Sequence, residues 1–522
     1  ARPAMLDPTV KSFSPLRLLV PGFALVWGAA QAQSLPFGFS LPAPTQVAPG
    51  TPEPCTPPTN PLEKAVWDVV QRDQQARDRL ARTLPTPDLS CGNRFDRLLE
   101  LPLVPGREDD AFSQLMTSVR EARAEVLVAN MFIETGTGAP GWLLAGALRD
   151  LYRKVQVDPA AYPEGMTVRI AMGGMPGFLS PSELLPARFV GALRSLGVPL
   201  SDPTLGWSVE VADYRYFPHS HVKMHVIDGQ QVVTGGYNIS AWYLPRTQTG
   251  GHDLHDLGLA LSGPVARAGV AAFDDLWTKS RLLSCPPLVT PQNIGKECRF
   301  RWLPTTLPSH PPSTLRVTPL GDSRAWMLYR RAGYVQADEV GLALLRGSRQ
   351  TLDLMHADFS ANINCLYAFK TPHDCDPATF PSYFQEVIRA AERGVKIRVL
   401  TVDYDVGQLW NRSGIALMRQ ELRRRGLEHL FEARYTRFKM HTKATLVDGQ
   451  MLVVGSINYH FSSWGTAGLN EAALATNDPQ AIARQRELFE RAWNDPKLSR
   501  PAPAEPWLSD IQPDLVARPT SP

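Results

Sequence analysis

The hydrophobic positions of this chain form short apolar runs separated by helical patterns, and their order is repeated. The first copy comprises a run at Ala124 to Phe132, a helical pattern at Trp142 to Val155 and a run at Thr167 to Met172. The second copy comprises Thr351 to Phe359, Tyr383 to Arg393 and Lys396 to Val402. Short apolar, β-branched runs around an amphipathic period predict a strand, a helix and a strand. The repeat therefore predicts an α/β protein with a mixed sheet in each half.

Two hairpins are predicted downstream of these units, one in each half. The paired runs are Val222 to Ile227 with Gln231 to Thr234, and Thr442 to Val447 with Met451 to Val454. Each pair is broken by Asp-Gly, which is a strong turn signal between strands. A further amphipathic pattern, from Glu63 to Leu84, predicts a helix packed on the body of the protein.

Proline-rich stretches mark the predicted joints of the chain. We divide it into a signal peptide (5–32), a Pro-rich leader (33–61), a first half (62–284), a Pro-rich linker (285–318), a second half (319–500) and a Pro-rich tail (501–522). The signal peptide is predicted from the basic residues Lys11 and Arg17, an apolar stretch from Leu18 to Ala30, and a small-x-small site ending at Ala32. Its apolar stretch is shorter than the roughly 20 residues of a membrane span.

The cysteines agree with export to an oxidising compartment. Six are present, and they fall in sequence-local couples: Cys55 with Cys91, Cys285 with Cys298, and Cys365 with Cys375. Sequence leaves the pairing open, because six cysteines allow about 15 connectivities. We expect a secreted, periplasmic or cell-envelope protein.

Charge argues against a nucleic-acid partner. The chain has 54 basic and 51 acidic residues, a net charge of +3. The densest basic run, Arg419 to Arg425, follows a helical pattern typical of a solvated helix face. We therefore expect no nucleic-acid partner. We also expect the protein to be a monomer.

The chemistry-bearing residues lie in a constellation that occurs twice. His221, Lys223 and Asp228 recur as His441, Lys443 and Asp448 with the same spacing. Alternation along a strand puts each His and its Lys on one face and sends each Asp elsewhere. Downstream, at matching offsets, follow Gly235, Gly236 and Asn238 in one copy and Gly455, Ser456 and Asn458 in the other. Imidazoles, ammonium groups, amides and free backbone N–H groups around one point predict a phosphate site.

These two motifs resemble the signature of the phospholipase D superfamily, and a looser likeness extends over residues 95 to 500. The resemblance implies two similar α/β/α sandwich halves, each a mixed sheet flanked by helices, related by a pseudo-twofold axis. It also implies an acidic residue beyond each motif that hydrogen-bonds a catalytic imidazole. Asp256 and Glu471 occupy the matching segments, and Asp253 is a near alternative to Asp256.

The resemblance further implies cleavage of a phosphodiester through a phosphohistidine. The catalytic set would be His221, Lys223, Asp228, His441, Lys443 and Asp448. His221 would attack phosphorus and His441 would act as acid and base, with the reverse assignment left open. The lysines, Asn238, Asn458 and the small residues of both copies would hold the phosphate oxygens. No cofactor is implied.

A metal site is the alternative for the remaining histidines. His221 with His225, or His252 and Asp253 with His255 and Asp256, supply ligand types that zinc accepts. His225 and His252 do not belong to the repeated set, so we expect no metal.

The substrate is less constrained than the reaction. Aromatic residues follow both asparagines, namely Trp242, Tyr243, Tyr459, Phe461 and Trp464. They fit an apolar mouth or a bilayer interface as well as ordinary core packing. We expect a phospholipase D that transfers the phosphatidyl group to water or an alcohol during transient contact with a membrane surface. The alternatives are a cardiolipin-synthase-like phosphatidyltransferase, a secreted nuclease or other phosphodiesterase, and a noncatalytic lipid-binding or phosphate-binding protein.

Overall fold

The computed structural model describes residues 55–83, 85–102, 110–174, 184–287, 289–302, 307–361 and 375–503. The predicted signal peptide, most of the leader and most of the tail lie outside these residues, as does Cys365. The predicted mixed sheets are confirmed: the described chain forms two of them, one in each half.

Helices and strands alternate in the first half as the hydrophobic pattern predicts. Its helices are α1 (Pro61–Ala81), α2 (Ala111–Glu121), α3 (Pro140–Val157), α4 (Leu184–Ser195), α5 (Val265–Trp277) and α6 (Ile294–Glu297). Its strands are β1 (Arg94–Leu101), β2 (Glu125–Asn130), β3 (Met166–Met172), β4 (Ser201–Asp202), β5 (Trp207–Tyr214), β6 (Met224–Ile227), β7 (Gln231–Gly235), β8 (Asp256–Ser262), β9 (Ser280–Ser284) and β10 (Arg299–Trp302).

The second half repeats the arrangement with fewer elements. Its helices are α7 (Gln336–Gly347), α8 (Ser382–Glu392), α9 (Asp405–Arg424) and α10 (Pro479–Asn494). Its strands are β11 (Ala325–Arg330), β12 (Thr351–His356), β13 (Lys396–Thr401), β14 (Phe431–Thr436), β15 (Lys443–Val447), β16 (Met451–Gly455), β17 (Glu471–Thr476) and β18 (Ser499–Pro501).

The two sheets have the same strand order. The first runs β1-β8-β7-β6-β2-β3-β5-β9-β10, and β4 also pairs with β5. The second runs β11-β17-β16-β15-β12-β13-β14-β18. In both, three central strands are parallel (β2, β3 and β5; β12, β13 and β14) and the hairpin strands are antiparallel. This correspondence confirms the predicted duplicated fold.

An apolar core lies between the two sheets and joins the halves. It combines residues of both, such as Met224 and Leu259 from the first half with Met327 and Leu446 from the second, and it includes α5 and α10. Further cores lie on the outer faces, beneath α2, α3 and α4 in one half and α7, α8 and α9 in the other. Burying one face of each sheet against the other fixes the relative position of the two hairpins.

The predicted boundaries between the halves need correction. Helix α1, assigned to the first half, packs on the outer core of the second through Leu62, Val66 and Val69. The predicted linker contains β10, which pairs with β9 and extends the first sheet. An amphipathic pattern shows that a helix is packed but does not identify its partner, and proline content does not exclude a short edge strand.

Two of the three sequence-local cysteine couples form disulfides in the structure. Cys55 is bonded to Cys91, and Cys285 to Cys298. These bonds are consistent with an oxidising compartment. Within the described residues, the helices all fall short of the length and apolar character that crossing a bilayer requires.

Candidate active site

The backbone brings each motif histidine against a strand of the other half. The amide of His221 donates to the carbonyl oxygen of Asn470 at 2.8 Å, where β17 begins. In the same way, the amide of His441 donates to His255 at 2.7 Å, where β8 begins. Parallel bridges join Ser220 to Asn470 and His255 to Met440 at these points. Backbone hydrogen bonds therefore connect the two halves at two equivalent places.

These connections between the halves place each imidazole against a carboxylate of the opposite half. His221 Nδ1 lies 2.9 Å from Glu471 Oε2, and His441 Nδ1 lies 2.8 Å from Asp256 Oδ2. Both carboxylates are fully buried. The predicted acidic residues are thus in contact with the histidines, whereas Asp253 is on the surface and pairs with Arg246. A carboxylate at Nδ1 favours the tautomer that leaves Nε2 without a proton and available for chemistry.

Both motif lysines are buried beside their histidines. Lys223 Nζ donates to the carbonyl oxygen of His221 at 2.8 Å, and Lys443 Nζ contacts the carbonyl oxygen and Nδ1 of His441. Burial is the main cause that lowers the pKa of each lysine, and for Lys223 the nearby Lys443 lowers it further. Bringing an anion to this point would relieve the desolvation of both ammonium groups.

The two histidines share one electrostatic environment. Burial lowers the pKa of His221 well below its usual value, and Lys223, Lys443 and His441 lower it further. Burial also lowers the pKa of His441, with contributions from Lys443 and Lys223, although Asp256 opposes the shift. Each ring thus senses charges of the other motif, and both are neutral near pH 7, as a nucleophile or general base requires.

Glu471 is the acidic residue with the largest resolved shift at the site. Burial raises its pKa to about 7, against the opposing effect of Lys223. Its second oxygen accepts a hydrogen bond from Ser463 Oγ at 2.8 Å. In the other half, Tyr243 occupies the place equivalent to Ser463, and its hydroxyl lies 3.1 Å from His441 Nδ1. Sequence analysis did not assign Ser463 or Tyr243 to the site, although both lie 22 residues after a motif histidine.

The two predicted asparagines are buried with an unsatisfied amide oxygen. Oδ1 of Asn238 and Oδ1 of Asn458 both lack a hydrogen-bond partner among the described residues. Buried amides are normally hydrogen-bonded, so the two unsatisfied oxygens at equivalent positions are a shared feature of the halves. As acceptors they could pair only with a donor, and it is the Nδ2 groups that could donate to a phosphate oxygen.

The predicted role of the small residues needs correction. The amides of Gly235, Gly236 and Ser456 donate to the carbonyl oxygens of Lys223, Leu257 and Ala472, so they are not free to bind phosphate. Instead, the small residues make space. A side chain at Gly236 would lie 2.3 Å from the Asp256 carboxylate, and one at Gly455 would meet the backbone of Ala472 at 2.3 Å.

The motif aspartates are separated from the other motif side chains, which corrects the catalytic role predicted for them. Asp228 accepts hydrogen bonds from the amides of Arg123, Ala124 and Glu125. Asp448 accepts them from the equivalent Arg349, Gln350 and Thr351. Both aspartates have positive φ, at the tight turn of each hairpin. Each carboxylate therefore ties a hairpin turn to the start of the neighbouring parallel strand.

The other histidines that were considered as zinc ligands lie in different environments. His225 is buried on β6, which lowers its pKa to about 4, and His255 Nδ1 lies 2.9 Å from Thr442 Oγ1. His252 packs its ring near Trp242. In the described part of the chain, no three His, Cys, Asp or Glu residues are grouped as metal ligands.

The aromatic residues beyond the motifs divide between core and surface. Tyr243, Tyr459 and Trp464 are buried, Phe461 is half-buried and Trp242 is exposed. Core packing therefore accounts for Tyr459 and Trp464, while Tyr243 is buried with its hydroxyl beside His441. The interpretation as a mouth or interface is left to Phe461 and Trp242.

The chain is similar to known proteins in sequence and fold. The family model described as the cardiolipin synthase, phospholipase D-like domain matches residues 354–493, which include the second motif and Glu471. Phospholipase D of Streptomyces antibioticus is 31% identical over 111 residues, which is 21% of this chain and 19% of that protein. The chain belongs to the phospholipase D superfamily. The match spans only about a fifth of the Streptomyces relative's length.

One solved structure shares the fold of this chain. Phosphatidylserine synthase from Haemophilus influenzae Rd KW20 superposes with a TM-score of 0.51 at 14% identity, covering 76% of this chain and 86% of that one. A phospholipase D family member from Salmonella typhimurium, Nuc, superposes with a TM-score of 0.26 at 18% identity, covering 35% of this chain and 99% of that one.

Proposed function

We propose that this member of the phospholipase D superfamily cleaves the head-group ester of phospholipids and transfers the phosphatidyl group to water or an alcohol. The observation that carries the proposal is the reciprocal pairing of His221 with Glu471 and of His441 with Asp256. Two imidazoles, each oriented by a buried carboxylate, form the apparatus that a two-step displacement needs, one as nucleophile and the other as acid and then base.

In the first step, Nε2 of His221 attacks phosphorus and the bond to the head-group oxygen breaks. His441 enters this step as the imidazolium, which Asp256 and the bound phosphate anion favour, and it gives its Nε2 proton to that oxygen as the alcohol leaves. The products are a phosphohistidine at His221, the free alcohol and a neutral His441. In the second step, His441 removes the proton from water or an alcohol, whose oxygen attacks phosphorus and releases His221. Lys223, Lys443 and the amides of Asn238 and Asn458 stabilise the charge on the nonbridging oxygens in both steps.

Contact with a membrane surface is supported by exposed aromatic residues close to the first motif. Phe217 is 88% exposed only four residues before His221, and Tyr216 and Trp302 lie exposed beside it with their rings 5.6 Å apart. Aromatic side chains of this kind favour the interface of a bilayer. We propose that this surface and Trp242 bring the site to phospholipid head groups.

The test is to analyse products by mass spectrometry after incubation with mixed phospholipids, with and without a primary alcohol. Phosphatidic acid is expected without the alcohol and a phosphatidyl-alcohol with it, and neither is expected from the His221→Ala variant. Absence of lipid products together with nicking of plasmid DNA would instead support the nuclease alternative.

A second candidate is transfer of a phosphatidyl group from one lipid to another, which the description of the matching family model favours. Phosphatidylglycerol as the only lipid distinguishes the two. Formation of cardiolipin faster than phosphatidic acid would support lipid-to-lipid transfer, and the opposite ratio would support hydrolysis.

We also propose that the protein is exported from the cytoplasm. The disulfides Cys55–Cys91 and Cys285–Cys298 support it. Mass spectrometry of the chain recovered from the periplasm or medium should find an N-terminus at Gln33. A chain found only in the cytoplasm would contradict export.

A further inference from the structure

An arginine is buried beside the acidic partner of His221. Arg330 lies at the end of β11 and pairs in register with Glu471 at the start of β17. Its side chain is fully buried, although a guanidinium loses favourable hydration when it is taken from water. In the first half, Leu101 is the residue paired with Asp256, and it packs in an apolar cluster. Of the two equivalent positions, the one beside Glu471 therefore carries the charge.

Arg330 holds the loop of residues 465–469, which precedes β17. Its two terminal nitrogens donate to the carbonyl oxygens of Gly465 and Leu469. A side chain at Gly468 would lie 2.5 Å from Arg330 Nη1, so a glycine is needed for the loop to close on the guanidinium. The guanidinium therefore fixes both ends of this loop.

Asp338 of α7 is the ionic partner of Arg330. Its Oδ1 lies 2.6 Å from Arg330 Nε, and its Oδ2 accepts a hydrogen bond from the amide of Gly465 at 2.7 Å. Asp338 is in the first turn of α7, where the helix dipole favours a carboxylate. The ion pair therefore attaches the loop to a helix as well as to the sheet.

The loop leads directly into two contacts with His221. The carbonyl oxygen of Asn470 accepts a hydrogen bond from the amide of His221 at 2.8 Å, and Glu471 Oε2 lies 2.9 Å from its Nδ1. On the other side of the loop, Ser463 Oγ donates to the second oxygen of Glu471 at 2.8 Å. A displacement of the loop would therefore move the groups that orient the attacking imidazole.

The charge of Arg330 also acts on Glu471. Burial raises the pKa of Glu471 to about 7, while Lys223 and Arg330 oppose the shift. Asp338 has the contrary effect, because a carboxylate favours protonation of another one nearby. Loss of Arg330 should thus favour the protonated form of Glu471, and loss of Asp338 the ionised form. The other titratable groups that face Glu471 are His219, His221, Lys443 and His460.

We propose that Arg330 is a positioning residue for His221, because its buried ion pair with Asp338 holds the loop before β17 and its charge keeps Glu471 ionised. The inference rests on the proposed function, in which Glu471 orients the attacking imidazole. A leucine fits the equivalent place in the first half, so this strand position does not need a charge in order to fold. The guanidinium is therefore assigned to the site that the loop enters.

The test follows the protonation of Glu471 without turnover. NMR signals of the His221 ring, labelled isotopically and identified by their loss in His221→Ala, are recorded between about pH 5 and pH 9. We expect a transition near pH 7 in the wild type, where Glu471 gains its proton. Arg330→Leu should move the midpoint upward by about 0.5 to 1 pH unit, and Asp338→Asn should move it downward by a similar amount.

The opposite directions separate this role from a loss of structure. Both variants break the same ion pair, so a merely structural role would move the two midpoints in the same direction or leave both unchanged. Arg72→Leu is the matched control, since it removes an exposed arginine that pairs with Glu339 of α7, and it should keep the midpoint of wild type. Shifts in one direction, or no shift in either folded variant, would overturn the proposal.

Arg330→Lys isolates the contribution of the charge. Lysine keeps the positive charge but cannot reproduce the fork of donors, so the midpoint should stay near that of wild type. A shift as large as that of Arg330→Leu would show that the charge is not responsible. Thermal melting shows whether each variant is folded, and if Arg330→Leu is not, the direction of the shift in Asp338→Asn decides. A protein with the expected shifts that cleaves no phospholipid would contradict the proposed function and not this inference.

Discussion

The two halves share a strand order and a histidine–carboxylate pair, but they surround their histidines differently. The His221 side chain is 12% exposed and its partner Glu471 has a pKa of about 7, raised by burial. The His441 side chain is 28% exposed and has Asp256, Tyr243 and Lys443 around Nδ1. The duplicated motifs contain similar imidazoles, but different residues surround them, so each imidazole has a distinct environment.

This difference suggests how one duplicated motif can perform two roles. A nucleophile gains from exclusion of water and from a neutral ring, and both conditions hold most strongly at His221. An acid and base must exchange protons with the leaving group and then with solvent, which suits the more exposed His441.

The largest expected effect comes from removing either histidine. His221→Ala and His441→Ala should each lower phospholipid turnover by at least ~10⁴-fold. A phosphatidyl ester of p-nitrophenol separates the roles, since its leaving group needs no acid. His441→Ala should release one equivalent of nitrophenol per site and then stop, whereas His221→Ala should release none. The opposite pattern would reverse the assignment of the two histidines.

Replacing the two acidic partners, Glu471 and Asp256, should change the pH dependence of kcat/KM in different ways. Glu471→Gln and Asp256→Asn should each lower kcat by roughly 10²- to 10⁴-fold, because a neutral amide no longer fixes the imidazole tautomer. Since burial raises the pKa of Glu471 to about 7, the wild-type kcat/KM should fall as pH drops through 7 and Glu471 gains a proton. That acidic limb should vanish in Glu471→Gln and persist in Asp256→Asn. A limb retained by Glu471→Gln would assign it to another group.

Gly236 lies against the carboxylate of Asp256 and leaves no space there for a side chain. A Cβ at Gly236 would lie 2.3 and 2.7 Å from the two oxygens of Asp256, so Gly236→Ala should displace that carboxylate and lower kcat by about 10- to 100-fold. Gly146→Ala in α3, where no atom lies within 4 Å of the new Cβ, is the control. Equal kcat for the two variants would show that Asp256 tolerates the added methyl.

The motif aspartates are expected to affect stability and not chemistry. Asp228→Ala and Asp448→Ala each remove an acceptor for three backbone amides, and each should lower the free energy of unfolding by about 2–4 kcal/mol. Asp253→Ala controls for the positive φ that all three residues share. Urea titration measures stability, and kcat of the folded variants should stay within about twofold of wild type. A large loss of kcat with unchanged stability would restore their catalytic role.

The sequence predicted those parts of the molecule that depend on local spacing. Strand alternation places His221 with Lys223 and sends Asp228 away, and equal offsets relate the lysines, aspartates, small residues and asparagines of the two copies. It could not predict that Glu471 orients His221, because that contact arises where a segment of the first half meets a strand of the second. Nor could it show that the amides of Gly235 and Gly236 bond within the sheet, since ladder partners are set by tertiary pairing.

The smallest expected effect concerns the buried ionic network around His310 in the first half. Glu125 on β2 has Thr351 as its counterpart, and its carboxylate contacts Arg169 at 3.1 Å and His310 at 2.8 Å. His310 also contacts Asp274 of α5 at 3.0 Å. Since His310 lies between β10 and β11, this network attaches the connection between the halves to the first of them.

The network predicts how stability changes at alkaline pH. Burial lowers the pKa of His310, but hydrogen bonds with Asp274 and Glu125 outweigh it and raise the pKa to about 9 from 6.5. A raised pKa stabilises the fold fully below pH 6.5, and this contribution is lost as pH rises through 9. The difference in unfolding free energy between wild type and His310→Gln should therefore shrink by about 1–3 kcal/mol between pH 6 and pH 10. Because the glutamine cannot titrate, a difference that stays constant over this range would mean that His310 is held as a neutral ring and that its carboxylate partners contribute hydrogen bonds alone.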